Sequence, residues 1–197
     1  MKIVSSLSLI LAVAVMTGCR NESQQTSTAT ETPAATQTTA SAPSATPYDL
    51  QFLDTMSRHH EGAIQMAKAA QGKVQLPGLK EMTKRTPEEQ QKEIDQMKAW
   101  REQWYPGAAP AETAQMPGMG SSMNMDMSHL DSMNGGKAYD SMFIDMMIPH
   151  HQGAIQMAQD ALAKAEHPEV KVLAQQIIDK QQKEIDQMKL WKSKLGS

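Results

Sequence analysis

Four stretches of this chain carry apolar residues at helical spacing. In the first, Phe52, Met56, His59, Ala63, Met66, Ala67 and Ala70 share one face at about 100° per residue, with His60 and Ile64 beside it, which predicts a helix over 48–71. In the second, Gln90, Glu93, Ile94, Met97, Trp100 and Trp104 fall on or near one face of a helix over 77–104. Gly72 and the Leu76-Pro77-Gly78 cluster mark the turn between them. Pro87 lies inside the second stretch and predicts a kink, or the start of a separate segment. The third and fourth stretches, 138–165 and 168–195, repeat the arrangement, with Pro168 acceptable in a first turn. Two tight helical hairpins predict an all-α fold, a four-helix bundle, and residues 48–197 are enough for one stable core.

The two hairpins are copies. FLDTMSRHHEGAIQMA, from Phe52, returns as FIDMMIPHHQGAIQMA, from Phe143, and QQKEIDQMKAW, from Gln90, returns as QQKEIDQMKLW, from Gln181. The offset is 91 residues throughout, and 25 of the 55 positions aligned from Leu50 with those from Ser141 are identical. The first repeat is 48–104 and the second 138–197, joined by a Met-rich linker, 105–137.

The N-terminal region has a different character. Lys2 precedes an apolar run, Ile3 to Val15, that is too short for a membrane span. Met16-Thr17-Gly18-Cys19 then reads as a lipobox, so 1–18 is expected to be a lipoprotein signal peptide and Cys19 the lipidated residue. It is the chain's single cysteine, which leaves no intrachain disulfide. From Cys19 to Pro47 the sequence is rich in Ser, Thr, Ala, Pro and Gln, which predicts a disordered tether with an r.m.s. reach of about 30 Å. Arg20 is not the Asp that commonly retains bacterial lipoproteins at the inner membrane. The expected location is therefore the cell envelope, at the outer membrane and facing the periplasm. The membrane contact would be through the lipid anchor only, because stable anchoring takes two signals such as dual acylation.

Charge adds an exclusion. The formal net charge is −3, and lysines and glutamates are mixed along the helices, so nothing calls for a nucleic-acid partner. Methionine, at 17 residues, is the compositional outlier. Some of it must fill core, since Met packs irregular gaps.

The hairpin register suggests where chemistry could gather. With the first turn centred near residue 75, Met56, His59, His60, Glu93 and Met97 come within about one turn of each other. The copy supplies Met147, His150, His151, Glu184 and Met188, with Met146 in place of Thr55 adding sulfur. Imidazole and thioether together suit soft metal ions, Cu(I) and Ag(I) first. Glu93 and Glu184 are candidates to orient an imidazole or to ligate a harder ion. His59 and His150 are the expected inward-facing pair, with His60 and His151 toward an interhelical groove. Met66 and Met157 read as core. A stripe of Met at helical spacing is also what plain packing produces, and the same residues are compatible with a purely structural interior. Gly62 and Gly153 are explained equally by close helix approach and by a ligand.

The linker carries a second signal. Met116, Met119, Met123, Met125, Met127, His129 and Met133 sit in a Gly-, Pro- and Ser-containing segment. If exposed, they read as a labile capture site for the same ions. The start of the third helix is expected at the end where the first begins, from which the linker would pass ions into the bundle.

F-x-D-x-M-x-x-H-H-x-G-A-I-x-M-A, followed by a Pro-led helix ending in Q-x-x-E-I-x-x-M-x-x-W, resembles the bacterial domain-of-unknown-function family 305, and both copies fit. The resemblance spans Tyr48 to Leu195. It implies a ferritin-like four-helix fold, secretion and, in some members, copper or silver binding through Met and His. Carried across, it points to Met56, His59, His60 and Met97, and to Met147, His150, His151 and Met188. The first copy departs from the family pattern with Arg58 where the second has Pro149, and around Lys84–Glu89.

The function expected from the sequence is therefore a non-enzymatic, lipid-anchored protein that sequesters, buffers or hands over Cu(I) or Ag(I) in copper tolerance, with no protein partner specified. Two other classes compete with it. One is an envelope interaction module without a metal role. The other is a ferritin-like metal oxidoreductase, against which Met56 and Met147 stand where a Glu-x-x-His motif requires Glu.

Overall fold

Prolines start two of the helices, in first turns where a missing N–H breaks no intrahelical bond. The computed structural model describes residues 46–112, 116–120, 128 and 132–196. Its long helices are α1 (Tyr48–Ala70), α2 (Pro77–Trp104), α3 (Lys137–Lys164) and α4 (Pro168–Leu195). No strand occurs among the described residues, and no helix there is long and apolar enough to cross a membrane. The result is an all-α bundle of two hairpins, α1 with α2 and α3 with α4, that meet through α1 and α3.

Pro87 neither ends nor divides α2. A proline cannot donate to the carbonyl four residues back, here that of Thr83. The side-chain amide of Gln71 donates to that carbonyl instead, at 2.8 Å. The replacement donor comes from the end of α1, so the hairpin repairs its own helix.

None of the four helices has a side-chain cap from its own N-cap residue. Buried Asp140, in the first turn of α3, accepts the backbone N–H groups of Gln75 (2.9 Å) and Leu76 (2.8 Å), which lead into α2. Its duplicate Asp49 accepts those of Glu166 (3.0 Å) and His167 (2.9 Å), which lead into α4, and His167 Nδ1 at 2.6 Å. Each hairpin thus closes the turn of the other, and the two are related by an approximate twofold axis.

These clamps place the start of α3 at the far end of α1, so α1 and α3 run antiparallel. The expected position of α3, beside the start of α1, is wrong. The hairpins pack face to face about the axis, and the linker therefore begins and ends at opposite ends of the bundle. One long crossover is the connection of ferritin-like bundles.

Apolar packing forms two clusters along the helices. One holds Phe52, Met56, Ile94 and Met97 with the C-terminal half of α3. The other holds Phe143, Met147, Ile185 and Met188 with Met66 and Ala70 of α1. Between them along the helices lie the buried polar residues His59, His60, Gln90, His150, His151, Gln181 and Glu184.

Candidate metal centre

Two adjacent histidines can both face inward because α1 has two neighbours. Successive residues project about 100° apart on a helix. His60 points to α2, where its Nε2 lies 2.6 Å from Glu93 Oε2. His59 meets α3, where its ring lies 3.7 Å from that of His150, tilted by 39°. The second copy mirrors this, with His151 Nε2 at 2.8 Å from Glu184 Oε2 on α4. All four rings are at most 1 % exposed. The expectation that His60 and His151 face a groove is corrected: their rings are buried, and only the carboxylates they reach approach the surface.

Gly62 allows the close crossing. A Cβ there would stand 3.3 Å from His150 Nε2, tighter than ordinary contact. The close approach and the candidate ligand are the same contact.

Six ring nitrogens in this layer are buried without a hydrogen-bond partner: both of His59, both of His150, and Nδ1 of His60 and of His151. Native interiors seldom leave such groups unmade, because each costs about 1–3 kcal/mol. A neutral imidazole that donates through Nε2 keeps its lone pair on Nδ1. The carboxylates of Glu93 and Glu184 therefore select the tautomer in which His60 and His151 offer Nδ1 to an ion.

Electrostatics reinforce this. Burial, followed by the nearby imidazoles of the layer, pushes His59 and His150 well below the ordinary histidine value; each ring also approaches the other's backbone, an approach too poorly aligned to make a hydrogen bond and weaker than the rest. Both are neutral near pH 7, as a metal-binding imidazole must be. Burial alone would raise Glu93 and Glu184, but it is outweighed by their histidine and cationic partners. Their carboxyls sit below the usual carboxylate range and stay ionised.

The methionines fall in the same interior. Met56, Met97, Met147 and Met188 are at most 1 % exposed, and Ser57 Oγ donates to Met97 Sδ at 3.9 Å. Met146 is only half-buried, packed against the cluster around Met147. Among the described residues, no three His, Cys, Asp or Glu side chains form a ready-made metal cluster. Met56 and Met147 stand about one helical turn before the histidine pairs, so thioether sulfur is a further soft donor that the residues present offer to an ion held here.

Where the linker is described, its methionines are not those of an exposed loop. Met116 and Met119 are buried in the cluster with Met56 and Met97, and Met133 is half-buried against the other. Gly118 explains the approach: at φ +82°, a Cβ on it would lie 2.3 Å from the Gly153 carbonyl oxygen. Met123, Met125, Met127 and His129 lie outside the described residues, as does Cys19.

Two sets of residues escaped the sequence reading. Asp49 and Asp140 were legible in hindsight, since Tyr48-Asp49 returns as Tyr139-Asp140 just ahead of the aligned region. The ion pairs of Arg85 and Lys180 with the layer's carboxylates, and of both with Glu89, were hidden, because they join residues that the duplication does not match.

Fold and site together define a four-helix protein with a polar layer of histidines between two Met-rich apolar clusters. The chain belongs to the family described as Domain of unknown function (DUF305), whose sequence profile matches residues 13–101 and 49–192. No curated protein sequence matches it. Among solved structures, CopM in its Cu(I)-bound form is 35 % identical with a TM-score of 0.62, over 74 % of this chain and 96 % of CopM. The Cu(II)-bound form (38 %, 0.63) and a silver-bound form (36 %, 0.62) match over the same shares. A DUF305 protein of Streptomyces coelicolor shares the fold at 22 % identity, with a TM-score of 0.68 over 77 % of this chain and 94 % of that one.

Proposed function

We propose that this protein takes Cu(I) or Ag(I) as cargo into its bundle interior, outside the cytoplasm, and so sequesters, buffers or hands on these ions. The observation that carries the reading is the buried layer of four histidines with six unpartnered ring nitrogens, flanked by the apolar clusters that hold Met56 and Met97 on one side and Met147 and Met188 on the other. Neutral imidazole and thioether are soft donors and match these ions. The similarity to CopM, solved with Cu(I) and with silver bound, supports the same choice.

The proposed setting is supported by the sequence alone. Acylation at Cys19 would tether the bundle to the envelope, at the outer membrane and facing the periplasm. Thiolates tend to oxidise there, and Met and His remain as soft ligands. The linker residues Met116 and Met119 would add sulfur beside the first copy's methionines, and Met123, Met125, Met127, His129 and Met133 would collect ions ahead of the interior. This reading requires no catalysed reaction.

The test is competition. The full chain is titrated with Cu(I) against a chelator of known affinity, beside a variant carrying His59→Leu and His150→Leu. Tight uptake that the double variant loses supports the reading. Binding no tighter than that of an unstructured Met-containing peptide would overturn it.

A further inference from the structure

Between α2 and α4 runs an open groove of about 690 Å³ whose lining includes Arg85, Glu89, Glu93, Lys180 and Glu184. The charges in it are connected. His60 Nε2 meets Glu93 Oε2 at 2.6 Å, and the other oxygen of Glu93 meets Lys180 Nζ at 3.0 Å. Lys180 also meets Glu89 at 3.2 Å, and Glu89 meets Arg85 at 3.1 Å. Arg85 then meets Glu184 Oε1 at 3.1 Å, and Glu184 Oε2 meets His151 Nε2 at 2.8 Å. A single chain of alternating charge thus runs across the bundle from one buried imidazole to the other.

The connection crosses between the copies. Lys180 belongs to the second hairpin but holds the carboxylate that orients His60 of the first. Arg85 belongs to the first but holds the carboxylate that orients His151 of the second. Glu89 and Lys180 occupy equivalent positions, 91 residues apart, so two identical hairpins would set like charges against each other at the axis. Arg85 likewise has Gln176 as its counterpart. The two copies have diverged where divergence makes a bridge. Exposed ion pairs contribute little to stability, and Arg85 is 44 % exposed, so folding alone is a weak reason for this arrangement.

We propose that Arg85, Glu89 and Lys180 are positioning residues of the metal centre, a charged bridge that fixes the Glu93 and Glu184 carboxylates and, through them, holds His60 and His151 with Nδ1 available to an ion. The inference rests on the soft-metal reading above. It adds three residues outside the buried layer, of which Lys180 and Arg85 act on the imidazoles through Glu93 and Glu184, and it makes each half of the centre depend on the other hairpin. Groups that orient a ligating histidine typically change metal affinity 10–100-fold when removed.

The experiment reads the metal-free protein first. Long-range ¹⁵N–¹H spectra of the full chain report the tautomer of each histidine, for wild type and for Lys180→Met, Arg85→Met, Glu89→Gln and Arg85→Lys. Circular dichroism confirms that each variant is folded. Lys180→Met is expected to give mixed tautomers at His60 and Arg85→Met at His151, each with a roughly 10-fold loss of Cu(I) affinity. Glu89→Gln should disturb both histidines more weakly, and Arg85→Lys should recover most of the His151 signal. Folded variants with unchanged tautomers, or with unchanged Cu(I) affinity, would overturn the proposal. If the variants show the tautomer response but wild type itself takes up no Cu(I), the metal reading is overturned while the bridge's hold on the imidazoles is supported.

Discussion

Replacing His150 with leucine should stabilise the metal-free protein. The side chain is 1 % exposed, and neither ring nitrogen has a hydrogen-bond partner. A neutral imidazole carries one N–H donor and one acceptor nitrogen. Left unmade in the interior, the two together cost roughly 2–6 kcal/mol. Against that, the ring contact with His59 at 3.7 Å is lost, worth about 1 kcal/mol, and the imperfect shape of leucine costs about another 1 kcal/mol. The net expectation is a gain of about 0–4 kcal/mol, centred on about 2 kcal/mol, which at that centre is roughly 4–8 °C in Tm for a domain of this size. Wild type should recover the difference only with its ion, since free ligand at 100 times Kd adds about 2.7 kcal/mol. Thermal and denaturant unfolding of both proteins, with and without Cu(I), measures each quantity. If His150→Leu lowers metal-free stability by about 2 kcal/mol or more, the imidazoles are structural and the reasoning from unpartnered nitrogens is wrong.

Four further outcomes are expected. Because His59 and His150 are neutral in the fold and protonate near 6.5 when unfolded, the unfolded state binds more protons below that pH. Stability should then fall by about 1.4 kcal/mol per pH unit for each histidine, down to its depressed folded value, in denaturant titrations at pH 7.5, 6.0 and 5.0. Asp140→Ala removes both inter-hairpin hydrogen bonds of that carboxylate, which should cost about 3 kcal/mol and roughly 6–12 °C in Tm. Met147→Leu conserves volume, so folding should change by less than about 1.5 kcal/mol while Cu(I) affinity drops. Gly118→Ala should displace the linker from Gly153, seen as faster hydrogen exchange at Met116–Gly120 with the four helices unaffected.

Much of the architecture was legible in the one-dimensional pattern. Helical periodicity, turn residues and an exact 91-residue repeat located four helices in two hairpins, because these signals depend on neighbours a few positions apart. The same register argument placed Glu93 and Glu184 level with the histidines, and each carboxylate does meet an imidazole of its own hairpin. Pro87 could not be resolved this way. Its outcome depended on Gln71, a donor supplied from another helix.

What the sequence determined by itself was the composition of the candidate centre: two histidine pairs, their carboxylates and their methionines, repeated once. What only the tertiary structure decided was how the copies meet. Asp49 and Asp140 set the hairpins face to face, and that single fact brings His59 against His150, carries the linker over Gly153 and lets Lys180 and Arg85 reach across the axis. The physical reason is one of range. A helix and its turn are chosen by local backbone and side-chain preferences, whereas the pairing of two hairpins is chosen by contacts between residues about 65 to 118 positions apart, which no local pattern encodes.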